Sequence, residues 1–202
     1  MALKLYYAKD TRASRPRWLL EELGVPYELQ RIELGKDNRT PEYQRIHPHG
    51  AVPALDDDGT VVFESSAIVL YLADKFPEKR LAPEPGTPKR GHYYQWIAYA
   101  LCNIEPINGD IFQQTKRLPE AERLPTLVER RRKEWKTVGA TLERHFTANA
   151  WALGDSFSAA DVVLGATCVT ARFVGLLEGF PAIQGYAGRI SERPAFVRAR
   201  AD

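Results

Sequence analysis

The chain has 202 residues, 44% hydrophobic and 27% charged, enough apolar material for one large or two small cores. Its 28 basic and 26 acidic side chains leave a net charge of only +2, which gives no footprint for nucleic acid or an anionic membrane surface. No apolar stretch is long enough to span a membrane, no signal peptide opens the chain, and Cys102 and Cys168 read as buried thiols of a cytoplasmic protein.

Leu3 to Tyr7 alternates and predicts a strand. A polar loop, Lys9 to Ser14, leads into a helix over 17–23 that Gly24 ends and Pro26 keeps from resuming. Tyr27 to Leu34 predicts a second strand, parallel to the first because the connection is long enough for a crossover. Thr40-Pro41-Glu42 is an N-cap with Pro at the first helical position. A short helix to about Ile46 follows, then a strand over 52–56, a turn at Asp57-Asp58-Gly59-Thr60, a return strand over 61–64 and a helix over 65–76. This βαβ-αββα order is that of a thioredoxin-like domain.

Residues 77–88, with four prolines and a glycine, read as a linker. Helical patterns then run over 92–104, with Pro106 as a kink or end, and over 120–146, 158–173 and 183–190. The third opens on Ser158-Ala159-Ala160-Asp161, a near capping box. The basic run Glu129-Arg130-Arg131-Arg132-Lys133 falls in a helical pattern and reads as a solvated face. The expected architecture is an α/β thioredoxin-like N-terminal domain (1–78), a linker (79–88) and an all-α C-terminal helical bundle (89–202). His47, His49, His92 and His145 lack ligand spacing, so no metal is expected.

Three stretches can carry chemistry. Val52-Pro53 places a proline at the start of a strand after a β-branched residue, where the bond is either cis or an ordinary trans loop bond. A cis bond there turns the Val52 backbone N–H and C=O outward, able to pair with an extended peptide. Glu64-Ser65 places an acid and a hydroxyl at a helix N-terminus, suited to an α-amino acid end or to simple capping. Thr11, with Arg12, Ser14 and Arg15 beside it, lies where a hydroxyl or a cation can lower a thiol pKa, or where the hydroxyl merely caps a helix.

Taken together, the motifs resemble the soluble glutathione transferase family, a serine/threonine-type bacterial-like member. His47-Pro48-His49-Gly50-Ala51-Val52-Pro53-Ala54-Leu55 is similar to that family's Asn-Pro-x-Gly-x-Val-Pro-x-Leu motif, with His47 in place of Asn. Phe63-Glu64-Ser65-Ser66-Ala67-Ile68 is similar to its Glu-Ser-x-Ala-Ile motif. Ser158-Ala159-Ala160-Asp161 and Arg193-Pro194-Ala195-Phe196 resemble its helical-domain cap and its C-terminal ending.

The resemblance implies glutathione as co-substrate, conjugated to a small hydrophobic electrophile that lies in a cleft against the second domain, and a homodimer. It implies that Val52 pairs with the cysteinyl part across a cis Pro53. Glu64 and Ser65 would hold the γ-glutamyl end and Arg39 the glycine carboxylate. The activating residue would be Thr11, with Ser14 or Arg12 as substitutes. Tyr99 and Phe112, with Trp96 and Phe173 as further candidates, would line the electrophile site. The alternatives are a glutathione-dependent peroxidase, reductase or isomerase, or a non-catalytic interaction module.

Overall fold

The computed structural model describes residues 3–201. The chain divides into two units, Met1–Ala82 with Arg193–Asp202, and Pro83–Glu192. The sequence placed residues 193–202 with the helical bundle; their contacts place them with the first unit, for a reason visible in α1 below.

The first unit is a four-stranded mixed sheet in the order β2-β1-β3-β4. Strand β1 (Leu3–Tyr7) pairs in parallel with β2 (Tyr27–Arg31) and antiparallel with β3 (Ala54–Asp57), which pairs antiparallel with β4 (Thr60–Phe63). The period-2 reading of β1 holds: Leu3, Leu5 and Tyr7 are buried while Lys4 and Tyr6 are half-buried. Asp58 and Gly59 both have positive φ, +49° and +92°, as the two-residue turn joining β3 to β4 requires.

Helix α1 (Ser14–Leu23) carries Trp18, Leu19, Leu20 and Leu23, each no more than 1% exposed. Gly24, at φ +64°, ends it, and its N–H returns to the Leu20 carbonyl. One side of α1 meets α3 (Ser65–Lys75); the other is covered by α9 (Pro194–Arg200). The Trp18 and Phe196 rings meet edge to face with centroids 5.0 Å apart. Arg193 grips Glu22 with two bonds of 2.7 and 2.8 Å, and Arg198 bonds Glu21 at 2.8 Å. Without α9 the outer face of Trp18 would meet water, which is why the C-terminal residues join this unit. At the far end of the sheet, Asp57 is buried and accepts from Tyr71 and Lys75 on α3. Burial raises the Asp57 pKa, but these two donors more than offset it and leave the carboxyl below its ordinary value.

The second unit is helical: α4 (Pro88–Tyr99), α5 (Glu105–Phe112), α6 (Pro125–Ala148), α7 (Ala159–Phe173) and α8 (Pro181–Glu192). Pro106 does not end the helical path. A widened turn at Ala100–Ile104, closed by Glu105 N–H to the Ala100 carbonyl five residues back, absorbs the missing donor and leads directly into α5. Cys102 lies on the outside of that turn and is exposed, against the expectation of a buried thiol; Cys168, on the buried helix α7, is fully enclosed and burial pushes its pKa up to about 12. Phe173 likewise follows the core periodicity yet is 65% exposed, because it is the last residue of α7.

Asp161 is the polar centre of this unit. It is 0% exposed and accepts from Ala152 N (2.7 Å), Ser158 N (2.9 Å), Ser158 Oγ (3.1 Å) and the Tyr186 hydroxyl (2.9 Å). Burial pushes its pKa up while these donors pull it down. The sequence-read capping box is therefore real and extends to a loop and to α8. Among the described residues, no helix is long and apolar enough to cross a membrane.

Candidate functional site

The Val52–Pro53 peptide is cis, and Pro53 is buried at the head of β3 with Val52 half-buried beside it. The preceding segment is built to present this pair. Asn38, in the short turn Asp37–Arg39, is only 6% exposed; its Nδ2 donates to the Gly50 carbonyl at 2.6 Å and its Oδ1 accepts from Gly35 N at 2.6 Å. Helix α2 (Pro41–Gln44), capped by Thr40 as the sequence predicts, carries Tyr43, whose hydroxyl donates to the Ala51 carbonyl at 2.8 Å. Burial raises the Tyr43 pKa to about 12, so the hydroxyl keeps its proton. Gly50 has φ +57°, and a Cβ there would fall 2.4 Å from the Asn38 carbonyl oxygen, so no other residue fits.

His47 fills the motif position expected to hold Asn. It is 4% exposed, its ring lies 5.0 Å from that of Phe63, and its Nδ1 accepts from His49 N at 3.3 Å. An acceptor for the turn is thus supplied by imidazole instead of an amide oxygen. Burial lowers its pKa, with the nearby Glu64 charge opposing that effect.

Ser65 begins α3 and is 5% exposed. Glu64 before it is exposed and sits at φ +72°, ψ +117°, a conformation that costs a non-glycine residue about 1–3 kcal/mol and that collects at ligand-holding positions. Arg15, 4% exposed on α1, donates from Nη1 to Ser65 Oγ at 3.5 Å. The first turns of α1 and α3 therefore converge on one buried cation and one hydroxyl, a combination that favours an anion.

The loop before α1 is organised by its hydroxyls. Thr11 Oγ1 donates to the Ala8 carbonyl at 2.6 Å and accepts from Ala13 N at 3.2 Å; Ser14 Oγ donates to the Thr11 carbonyl at 3.0 Å. Each hydroxyl has one proton, and here both protons go to backbone carbonyls. Arg12 is exposed. Tyr7 is buried under the Arg17 guanidinium, 4.9 Å from its ring, and Tyr6 packs edge-on against Tyr43, so both strand tyrosines serve packing. Arg39 is exposed in the same turn as Asn38.

Within the helical unit, Trp96 is core, 8% exposed, with its ring 4.3 Å from His145. Tyr99 and Phe112 are half-buried, and Phe112 lies 6.3 Å from the exposed Phe173, over which Lys116 sits at 5.9 Å. Asn38 and Tyr43 were not legible as part of the site. A lone Asn in a polar loop and a Tyr on a four-residue helix carry no sequence signal of what they hold.

Comparison with known proteins agrees with this layout. Residues 1–74 match the glutathione S-transferase N-terminal domain, and residues 125–189 match its C-terminal domain. Glutathione S-transferase Z2 of Arabidopsis thaliana is 32% identical over 209 residues, covering 98% of this chain and 90% of the relative. The chain belongs to the glutathione S-transferase family.

The chain is also similar to the disulfide-bond oxidoreductase YfcG of Escherichia coli K12, 28% identical over 98% of this chain and 94% of the relative. Among solved structures it resembles glutathione transferase URE2P6 of Phanerochaete chrysosporium in complex with oxidized glutathione. The TM-score is 0.87 at 29% identity, covering 98% of this chain and 96% of that one. The thioredoxin-like sheet followed by a helical unit is the glutathione transferase fold.

Proposed function

We propose that this protein binds glutathione on its first unit and conjugates the glutathione thiolate to a small hydrophobic electrophile. The observation that carries the reading is the pairing of a cis Val52–Pro53, presented by a clamped loop, with the Ser65 and Arg15 pair at the start of α3. In this reading the cysteinyl backbone of glutathione pairs with Val52 as an added strand. The γ-glutamyl carboxylate lies at Ser65, with its ammonium toward Glu64, and the glycyl carboxylate faces Arg39.

The thiol lies against the loop of residues 9–14. Its thiolate is favoured by the α1 N-terminus and by the charge of Arg12. Thr11 contributes directly only if its proton leaves the Ala8 carbonyl, a bond it holds in the free protein at 2.6 Å. The thiolate then attacks an electrophilic carbon; the C–S bond forms as the leaving group departs with its electron pair.

Retention on immobilised glutathione, followed by turnover of a chromogenic halonitroarene, tests this. Retention with turnover supports transfer, and absence of retention by the unmutated protein overturns the reading. Glutathione-dependent disulfide reduction is the second reading, favoured by the similarity to an oxidoreductase. The described loop before α1 contains no cysteine, so such a reaction would run through glutathione's own thiol. Parallel assay with a small mixed disulfide separates the two.

A further inference from the structure

We infer that Asn38 and Tyr43 are positioning residues that set the spacing between Arg39 and Val52, and so select a tripeptide with a carboxylate at its glycyl end. The inference rests on the proposed glutathione site and adds a specificity element to it. Two consecutive carbonyls, Gly50 and Ala51, lead into Val52, and each is held by a different side chain. Asn38 belongs to the same one-turn helix as Arg39, Asp37–Arg39, and its Oδ1 ties that turn back to Gly35. One amide therefore connects three backbone segments: the start of the turn that displays Arg39, the turn itself, and the strand approach that displays Val52.

The arrangement has little slack. Asn38 and Tyr43 are 6% and 4% exposed, and the Asn38 carbonyl would touch any side chain at position 50. The Tyr43 ring is braced edge-on by Tyr6 of β1, with centroids 5.7 Å apart, so the clamp is anchored to the sheet and not to another loop. Arg39 itself is exposed, and this frame is what ties its turn to the Gly50 carbonyl. Val52 has a second anchor besides the clamp, because Pro53 and Ala54 are buried and Ala54 pairs with Tyr6. Loosening the clamp therefore releases the Arg39 side of the site while leaving the Val52 side in register.

The two ends of the ligand can be read separately by comparing glutathione with γ-glutamylcysteine, which has the same γ-glutamyl and cysteinyl parts but lacks the glycine. Tyr43→Phe deletes only the hydroxyl that holds Ala51; Asn38→Asp deletes the donor to Gly50 while keeping the acceptor for Gly35. Each is expected to weaken glutathione about fivefold, the effect of one hydrogen bond, and γ-glutamylcysteine by less than about twofold. Thermal unfolding of the same samples shows whether the fold is intact; should Asn38→Asp fail to fold, Tyr43→Phe decides alone.

Equal weakening of both ligands, or no change in either, in a folded Tyr43→Phe protein overturns the inference. Failure of the unmutated protein to bind either ligand overturns the underlying reading instead, so the two failures are distinct.

Discussion

Arg15 on α1 and Ser65 on α3 meet at 3.5 Å, both almost completely buried, although fifty residues separate them in the chain. A guanidinium behind a serine hydroxyl at a helix N-terminus is a poor arrangement for a neutral ligand and a good one for a carboxylate. Ser65→Ala is expected to weaken glutathione by about tenfold, the effect of one hydrogen bond to a charged group, and Arg15→Met by several-fold. Titration calorimetry checks both; parent-like affinity in the two variants would remove this pair from anion binding.

The loop of residues 9–14 separates the activating candidates. Because the Thr11 and Ser14 protons go to the Ala8 and Thr11 carbonyls, neither hydroxyl reaches a bound thiolate without giving up a bond, whereas the charge of Arg12 would favour a thiolate at a distance. Arg12→Gln is expected to raise the midpoint of bound-thiolate absorbance by about one pH unit, and Thr11→Val by clearly less. The reverse order would mean that Thr11 swings from Ala8 to the sulfur when glutathione binds.

Much of this was readable from the residues alone, and the exceptions have physical reasons. The period-2 pattern of β1, the Gly24 stop, the Thr40 cap and the Ser158–Asp161 box are local signals, and each appears where the pattern put it. Pro106, read as a kink or an end, does not end the helical path, because a widened turn can accept a proline that an ordinary α-turn cannot. Cys102 misled because a widened turn also shifts which face points outward. The clamp on Gly50 and Ala51 was invisible because side chain to carbonyl bonds across 8 to 12 residues leave no periodic trace.

Acid pH should weaken the fold through His47 and His145. Burial lowers the pKa of both below the ordinary 6.5, so the native state prefers the neutral ring. Their contribution is complete above about pH 6.5 and is lost as the pH falls through the lowered native values. The Tm is expected to fall in that window. His47→Asn, which keeps an acceptor for His49 N, should flatten part of the decline while leaving Tm near pH 8 little changed. A Tm profile identical to the parent's would exclude His47 as a source.

Asp161 organises a loop, a helix start and a neighbouring helix with four accepted bonds. Asp161→Ala would leave buried donors on Ala152, Ser158 and Tyr186 without an acceptor. The expected loss is at least about 3 kcal/mol of unfolding free energy, read from urea denaturation, since each buried unsatisfied group costs about 1–3 kcal/mol. A loss under about 1 kcal/mol would show that water or rearranged partners replace the carboxylate.

The embrace of α1 by α9 has a bearing on synthesis. During translation Trp18 emerges early, yet the Phe196 ring, the Arg193 fork on Glu22 and the Arg198 bond to Glu21 come only with residues 193–198. The first unit therefore stays incomplete on the ribosome until the helical bundle has been made and α9 has followed it. A chain stopped just after residue 192 would keep the whole bundle sequence but leave Trp18 of the sheet-bearing unit uncovered, so its newly exposed apolar surface would lie near its beginning.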